Sequence, residues 1–228
     1  MKKTSSVITY VLIVICALIY CQEVLLSHSL TINFNVLLSL GSTVPLSLIQ
    51  PFSIKSLLIM VFNLMNNWRL WSAMFLHASL MHITMNMMFL FFIGKIAEPL
   101  FGHIRFLILF LLTGFIGDLA SAVIGRSYSV GASTALFGLL LSGWIIARHF
   151  HANDLARSLM GLFVVNIIFD LISPGISLWG HLGGALAGIC LGWVLRPRED
   201  KRFLSSLWVE LPLSLLVTVV LCGLIIVF

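Results

Sequence analysis

The sequence has little charge and few cysteines. Only 9% of its 228 residues are charged, whereas 60% are hydrophobic, and a soluble domain carries about a quarter charged residues. This composition excludes an ordinary soluble domain and gives no reason to expect a nucleic-acid partner. A spanning helix needs about 20 apolar residues, so the chain has room for six or seven such helices. We therefore expect an all-α polytopic membrane protein.

The four cysteines all fall inside predicted spanning helices: Cys16, Cys21, Cys190 and Cys222. This placement argues against a disulfide framework and against a metal site, and we expect no metal and no cofactor. The chain has no H-E-x-x-H pattern, which argues against a metalloprotease. It also has no internal repeat, whereas many transporters are built from inverted repeats.

Apolar runs predict seven spanning helices, at 6–26, 77–96, 104–124, 133–149, 155–172, 179–195 and 205–228. Residues 1–5 form a predicted cytoplasmic N-terminus, because the basic start leads into an apolar run without a cleavage site. The predicted core is 6–202, with a long extracytoplasmic loop at 27–76 that lies in the interface or dips partway into the membrane. Residues 203–228 form an additional C-terminal helix, which Pro212 is expected to kink or interrupt.

The basic residues orient this bundle. With a cytoplasmic N-terminus, ten of them are inside: Lys2, Lys3, Lys95, Arg105, Arg148, Arg157, Arg196, Arg198, Lys201 and Arg202. Three are outside: Lys55, Arg69 and Arg126. This asymmetry is the one that the positive-inside rule predicts, and after seven spans the C-terminus is extracytoplasmic. The short N-terminus favours a bacterial inner membrane, and a eukaryotic secretory membrane is left open.

Four polar side chains are predicted to lie at similar depth in the outer half of the membrane. Ser133 precedes Arg148 by fifteen residues and His181 precedes Arg196 by fifteen, which places both about 22 Å from the cytoplasmic ends of their helices. His82 and Asn86 lie at comparable heights on the predicted helix that ends near Lys95. Polar groups at this depth are costly and often mark function.

These residue types are suited to acyl-transfer chemistry. A serine hydroxyl is activated by an adjacent base, most often histidine, and the oxyanion that forms needs fixed N–H donors. Ser133 begins a predicted helix whose first N–H groups have no partner within the helix. His82 and Asn86 are four residues apart and therefore share one helix face.

A stripe of small residues predicts close contact between the helices that carry Ser133 and His181. His181, Gly184, Gly188 and Gly192 share one face, and this spacing allows close helix approach in membranes. A small surface is also available around Ser133: Gly131, Ala132, Ala135 and Gly138. Asp118 and Asp170 are the nearest acids in depth, but their spacing ties neither to His181. We therefore expect a Ser–His dyad without a carboxylate.

Four stretches resemble the signature blocks of rhomboid intramembrane serine proteases, in the order found in that family. They are "NNWRLWSAMFLHASLMHITMNMMFLF", "AEPLFG", "GASTALFG" and "WGHLGGALAG". The resemblance covers about residues 36–196. It implies a rhomboid-like helical bundle of six core transmembrane helices, with the last predicted helix as an added seventh.

The resemblance implies a role for individual residues. Ser133 corresponds to the nucleophile and His181 to the general base, while His82, Asn86 and the Ser133 N–H correspond to the oxyanion donors. Other matching residues are structural: Trp68, Arg69, Glu98, Gly131, Phe137, Gly184 and Gly188. Two positions depart from the family pattern, Thr134 where a glycine is usual and Val130 where some members have glycine.

The function implied is hydrolysis of a peptide bond in or near the transmembrane segment of single-pass or polytopic membrane-protein substrates, within the lipid bilayer. The alternative is a catalytically weak or inactive rhomboid-like protein that binds transmembrane helices, which the Thr134 departure would favour. The intact Ser133–His181 pair favours the protease. Neither reading predicts an oligomeric state.

Overall fold

The computed structural model describes residues 5–45, 68–126, 128–173, 175–196 and 203–227. Helices account for most of this part of the chain, as the sequence predicts for an all-α protein, and the β-pairing within it is one isolated bridge between Thr31 and Ser79. The helices in chain order are α1 (Val7–Ser27), α2 (Phe34–Leu40), α3 (Arg69–Ser72), α4 (Leu80–Phe101), α5 (His103–Val123), α6 (Ser133–His149), α7 (Asn153–Ile172), α8 (Leu178–Val194) and α9 (Phe203–Val227).

Five of the described helices are long and apolar enough to cross a membrane: α1, α4, α5, α7 and the Val209–Ile226 part of α9. Helices α6 and α8 have 17 residues each, about 26 Å of helix, which is shorter than a hydrocarbon core of about 30 Å. Each of the seven predicted spans overlaps one of these helices. The division into 1–5, 6–202 and 203–228 stays a prediction.

Local signals explain where the predicted helix boundaries are displaced. Helix α4 begins at Leu80 rather than at 77, because the Ser79 side chain caps it by accepting a hydrogen bond from the His82 N–H. It continues through Pro99 to Phe101 and ends at Gly102, whose φ is +81°. Helix α9 continues through Pro212. In the predicted loop 27–76, helices α2 and α3 and a 3₁₀ turn are described, and 46–67 lie outside the described residues.

Helix α5 lies at the centre of the bundle and α7 at its edge. Of the most apolar window of α5, 72% is buried, whereas the corresponding share for α7 is 17%. The large side chains of α7 that point away from the protein include Val165, Ile168, Phe169 and Leu171. Since these side chains are apolar, we place this face of α7 against lipid.

Helices α6 and α8 pack closely along a line of small residues. A Cβ atom added at Gly184 would overlap the Thr134 carbonyl, and one at Gly188 would overlap the Gly138 carbonyl. Ser142 Oγ donates a hydrogen bond to the Gly188 carbonyl at 2.9 Å. The backbones approach because no side chain separates them, and this register brings the start of α8 beside the start of α6.

A buried ion pair attaches α9 to the centre of the bundle. Arg105 Nε lies 2.7 Å from Glu210 Oε2, and the Arg105 Nη2 to Glu210 Oε1 distance is 3.1 Å. The two side chains are 6% and 1% exposed. The pairing is bidentate, which suits a guanidinium and a carboxylate, and it fixes the register of α9 against α5.

Candidate active site

Ser133 and His181 are in hydrogen-bonding contact. Ser133 is the first residue of α6, and its Oγ lies 2.8 Å from His181 Nε2 in the first turn of α8. His181 is buried and Ser133 is half-buried. The packing of α6 on α8 therefore brings together the two residues that the sequence analysis singled out, and it does so at the ends of two short helices.

The imidazole ring of His181 stacks on an aromatic ring near the capped start of α8. Ser177 caps α8, where its Oγ accepts from the Gly180 N–H at 3.2 Å. Phe137, one turn after Ser133, stacks on the His181 ring with a centroid distance of 4.2 Å and an interplanar angle of 11°. Phe137 also contacts Phe163 of α7 edge-on. The Phe137 ring thus sets the plane of the imidazole whose Nε2 faces Ser133.

His82 and Asn86 border the backbone that leads into Ser133. Gly131 has a φ of +111°, and a Cβ atom there would lie 2.6 Å from His82 Nε2 and 3.7 Å from Asn86 Nδ2. The Ala78 N–H donates to His82 Nδ1 at 3.4 Å, so we assign the proton of this ring to Nε2. Asn86 Nδ2 also donates to the His82 carbonyl at 3.0 Å. N–H groups of both side chains thus border the loop that leads into Ser133.

The prediction of a Ser–His dyad without a carboxylate is wrong, because a carboxylate lies within hydrogen-bonding distance of His181. Asp170 Oδ2 lies 2.6 Å from His181 Nδ1. Asp170 is near the end of α7 and His181 near the start of α8, and the turn between these helices brings the two side chains together. Spacing along the chain did not show this, because the contact depends on how the turn folds rather than on helix periodicity.

Thr134 is accommodated where the family pattern has glycine. A Cβ atom at Gly117 would lie 2.7 Å from Thr134 Cβ, and one at Gly180 would lie 3.1 Å from Thr134 Cγ2. The Thr134 hydroxyl donates to Asp118 Oδ1 at 3.3 Å, and Ser129 Oγ donates to the same oxygen at 3.2 Å. Asp118, the other acid near this depth, therefore binds Thr134 and the loop before it.

The other residues singled out from the sequence contact residues in the N-terminal half of the chain. Arg69 Nη1 donates to the Leu38 carbonyl at 2.7 Å and its guanidinium lies over the Trp68 ring, so this pair closes the end of α2. Glu98 accepts from the Ile8 N–H at 2.9 Å and the Thr9 N–H at 2.8 Å. Val130 packs against a small apolar cluster near α1.

Sequence reasoning also missed Glu23 and its contact with the segment before α4. The His77 N–H lies 3.1 Å from Glu23 Oε1, so a buried carboxylate of α1 anchors the turn that leads to His82. The sequence feature that could have identified Glu23 is an acidic residue within an apolar helix. Burial, and then the neighbouring His82 ring, lowers the pKa of His77 to about 3, so the ring of His77 is neutral.

Fold and site together define a polytopic helical membrane protein with a serine–histidine pair at the tips of two closely packed helices. Residues 65–198 match the Rhomboid domain. The chain belongs to the rhomboid family, as the signature blocks predicted.

Several curated proteins are similar to this chain. RHOMBOID-like protein 2 of Arabidopsis thaliana is 41% identical over 148 residues, which cover 61% of this chain and 45% of that protein. Rhomboid protease GluP of Bacillus subtilis is 30% identical over 146 residues, covering 61% and 29%. Rhomboid-like protease 3 of Toxoplasma gondii is 30% identical over 131 residues, covering 54% and 50%. The matched regions span half or less of these relatives, two of which are named proteases.

Proposed function

We propose that the protein is an intramembrane serine protease that hydrolyses a peptide bond in or near the transmembrane segment of membrane-protein substrates. The observation that carries the proposal is the 2.8 Å contact between Ser133 Oγ and His181 Nε2. A serine hydroxyl becomes an effective nucleophile when an adjacent imidazole takes its proton. Membership of the rhomboid family, with two relatives named as proteases, supports the same activity.

In this proposal each side chain of the site takes part in a defined step of the reaction. Ser133 Oγ attacks the substrate carbonyl while His181 Nε2 takes the hydroxyl proton. The oxyanion is bound by the His82 Nε2–H, the Asn86 side-chain amide and the Ser133 N–H. His181 then gives its proton to the leaving amine, which leaves an acyl ester on Ser133. Water hydrolyses this ester, with His181 again acting as the base.

We further propose that cleavage occurs on the extracytoplasmic side of the membrane. Ser133 and His181 lie at the N-terminal ends of α6 and α8, and Arg148 and Arg196 mark the opposite ends. Basic residues concentrate on the cytoplasmic side of membrane proteins, so the catalytic ends face the other way. The bacterial inner membrane stays a prediction, since the relatives come from organisms as different as Arabidopsis and Bacillus.

Substrates are proposed to enter laterally, past α7. Of the five described helices that are long enough to span a membrane, this helix is the least buried. The turn after it contains Gly175 at a φ of +85°. Photo-crosslinkers placed at the exposed positions Val165 and Phe169 are expected to capture a substrate helix, while one at the exposed Phe92 of α4 is not. Capture at Phe92 alone would argue against entry past α7.

The test of the proposed activity is cleavage in reconstituted membranes. Purified wild type, Ser133→Ala, His181→Ala and the control Ser158→Ala are incubated in vesicles with a panel of single-pass membrane proteins. Ser158 is exposed on α7 and bonds only within its own helix turn in the described structure. Wild type and Ser158→Ala are expected to release fragments, mapped by mass spectrometry, and the other two variants are not.

Fragment release by Ser133→Ala would contradict the proposal. A folded wild type that binds substrate helices but releases no fragment would instead favour the helix-binding alternative.

A further inference from the structure

His181 has a second polar partner besides Ser133. Its Nδ1 lies 2.6 Å from Asp170 Oδ2, and the side chains of His181 and Asp170 are 8% and 4% exposed. Among the described residues, His181 is the only hydrogen-bond partner of the Asp170 side chain. The three polar groups therefore form a chain from Ser133 Oγ through the imidazole to the carboxylate.

The position of Asp170 argues against a purely packing role. Its neighbours in sequence on α7, Phe169 and Leu171, are apolar and point away from the protein. An acidic residue in such a helix is costly and usually has a specific partner. Here the partner is the one imidazole that contacts Ser133.

We propose that Asp170 is a positioning residue, which fixes the tautomer and the orientation of the His181 ring for the reaction at Ser133. The inference rests on the proposed function. Because Nδ1 donates its hydrogen to Asp170, the lone pair of His181 lies on Nε2, facing the Ser133 hydroxyl. Phe137 stacks on the ring, so the carboxylate and the phenyl group together allow one orientation.

The proton balance of the step is simple. The Ser133 proton moves to His181 Nε2 as Oγ bonds to the substrate carbonyl carbon, and the ring becomes an imidazolium with hydrogen on both nitrogens. Asp170 takes up no proton in this step and accepts the Nδ1 hydrogen bond throughout. The Nε2 proton then passes to the leaving amine, which restores the starting tautomer.

Because Asp170 lies on α7, the orientation of the His181 ring depends on where α7 packs. Ser133 and His181 lie on α6 and α8, which pack tightly together, while Asp170 lies on α7, which contacts α8 only sparsely. A displacement of α7 from α8 would separate Asp170 from His181 and leave the Ser133–His181 contact intact. The ring is therefore fully oriented only when α7 is packed against the start of α8.

The experiment compares Asp170→Asn, Asp170→Ala and Asp170→Glu with the control Asn166→Ala. Asn166 lies one turn earlier on α7 and its side chain bonds the Leu162 carbonyl of the same helix. The measurements are kcat and KM for cleavage of a membrane substrate, the rate of labelling by a fluorophosphonate, and Tm. Asp170→Asn keeps the size of the side chain, so it reports on the charge even if Asp170→Ala unfolds.

We expect Asp170→Asn and Asp170→Ala to lower kcat at least about tenfold, with KM within about twofold of wild type. Labelling should slow in parallel, Tm should stay near that of wild type, and Asp170→Glu should recover part of kcat. The inference is overturned if Asp170→Asn keeps wild-type kcat, or if kcat falls only in proportion to a loss of folded protein. Cleavage by wild type and by Asn166→Ala upholds the proposed function in either case, and its absence would overturn both.

Discussion

At the scale of single residues, the described site brings two side-chain N–H donors to the backbone just before Ser133. The His82 and Asn86 nitrogens border Gly131, whose backbone conformation has no room for a Cβ atom. The hydrogen bond from Ala78 sets which nitrogen of His82 donates. For the proposed reaction such a site would be preorganised, because its donors would already lie beside the oxyanion.

Removal of one such donor is expected to slow the reaction without unfolding the protein. Asn86→Ala and His82→Ala should each lower kcat roughly 10²- to 10³-fold, which is typical for the loss of an oxyanion donor. Thr84→Ala is the control, since Thr84 is exposed on the same helix. Steady-state kinetics with a membrane substrate would measure the effect, and wild-type kcat in Asn86→Ala would contradict the assignment of that amide.

The Thr134 departure leads to a second prediction at this scale. Thr134 fills space beside Gly117 and Gly180 and bonds the buried Asp118. Thr134→Gly should therefore lower the free energy of unfolding by about 1–3 kcal/mol, through a lost hydrogen bond and a cavity. Chemical denaturation in detergent would measure it. An unchanged stability with higher activity would show instead that Thr134 obstructs the site.

At the scale of helices, the sequence predicted the helices themselves better than the side-chain contacts between them. The span of α6 and the glycine stripe on α8 could be read from apolar runs and small-residue spacing. The partner of His181 could not, because Asp170 reaches it across a turn whose folding depends on tertiary packing. For the same reason Glu23 was missed, as its contact with His77 joins residues 54 positions apart.

The α6–α8 contact gives the prediction for this scale. Gly188→Leu would place a side chain against the Gly138 carbonyl, so the helices must separate and the Ser133–His181 contact must lengthen. We expect a loss of roughly 1–3 kcal/mol of stability or more, together with most of the activity. Gly161→Leu on α7 is the control, since a Cβ atom there meets nothing within 4 Å. Equal Tm values for the two variants would refute close packing at Gly188.

At the scale of the whole molecule, the described helices form a central bundle with α9 fastened to it by Arg105 and Glu210. Beyond this pair, α9 turns Ser214 and Thr218 towards the bundle, where both side chains are buried. Their hydroxyls donate hydrogen bonds to carbonyls of their own helix. The ion pair is therefore the stronger polar contact between α9 and the bundle. The seventh helix predicted from the sequence is thus part of the packed structure.

Removal of one partner of this ion pair is expected to destabilise the protein more than replacement of both partners by apolar residues. Glu210→Ala leaves Arg105 buried with a lost partner, and it should cost about 3–5 kcal/mol, whereas Arg105→Met combined with Glu210→Leu should recover much of that loss. The exposed pair Asp154–Arg157 on α7 is a matched control, and removing Asp154 should leave Tm unchanged. If Glu210→Ala had the Tm of wild type, α9 would not depend on this pair.

The proposed function requires Ser133 to be an activated nucleophile, and covalent labelling by a fluorophosphonate tests this requirement. The purified protein is labelled, digested and analysed by mass spectrometry, alongside Ser133→Ala, His181→Ala and Ser158→Ala. We expect one modified serine, Ser133, in wild type and in Ser158→Ala, and no labelling in the other two variants. A folded wild type that takes up no label, or takes it up on another serine, would show that Ser133 is not an activated nucleophile.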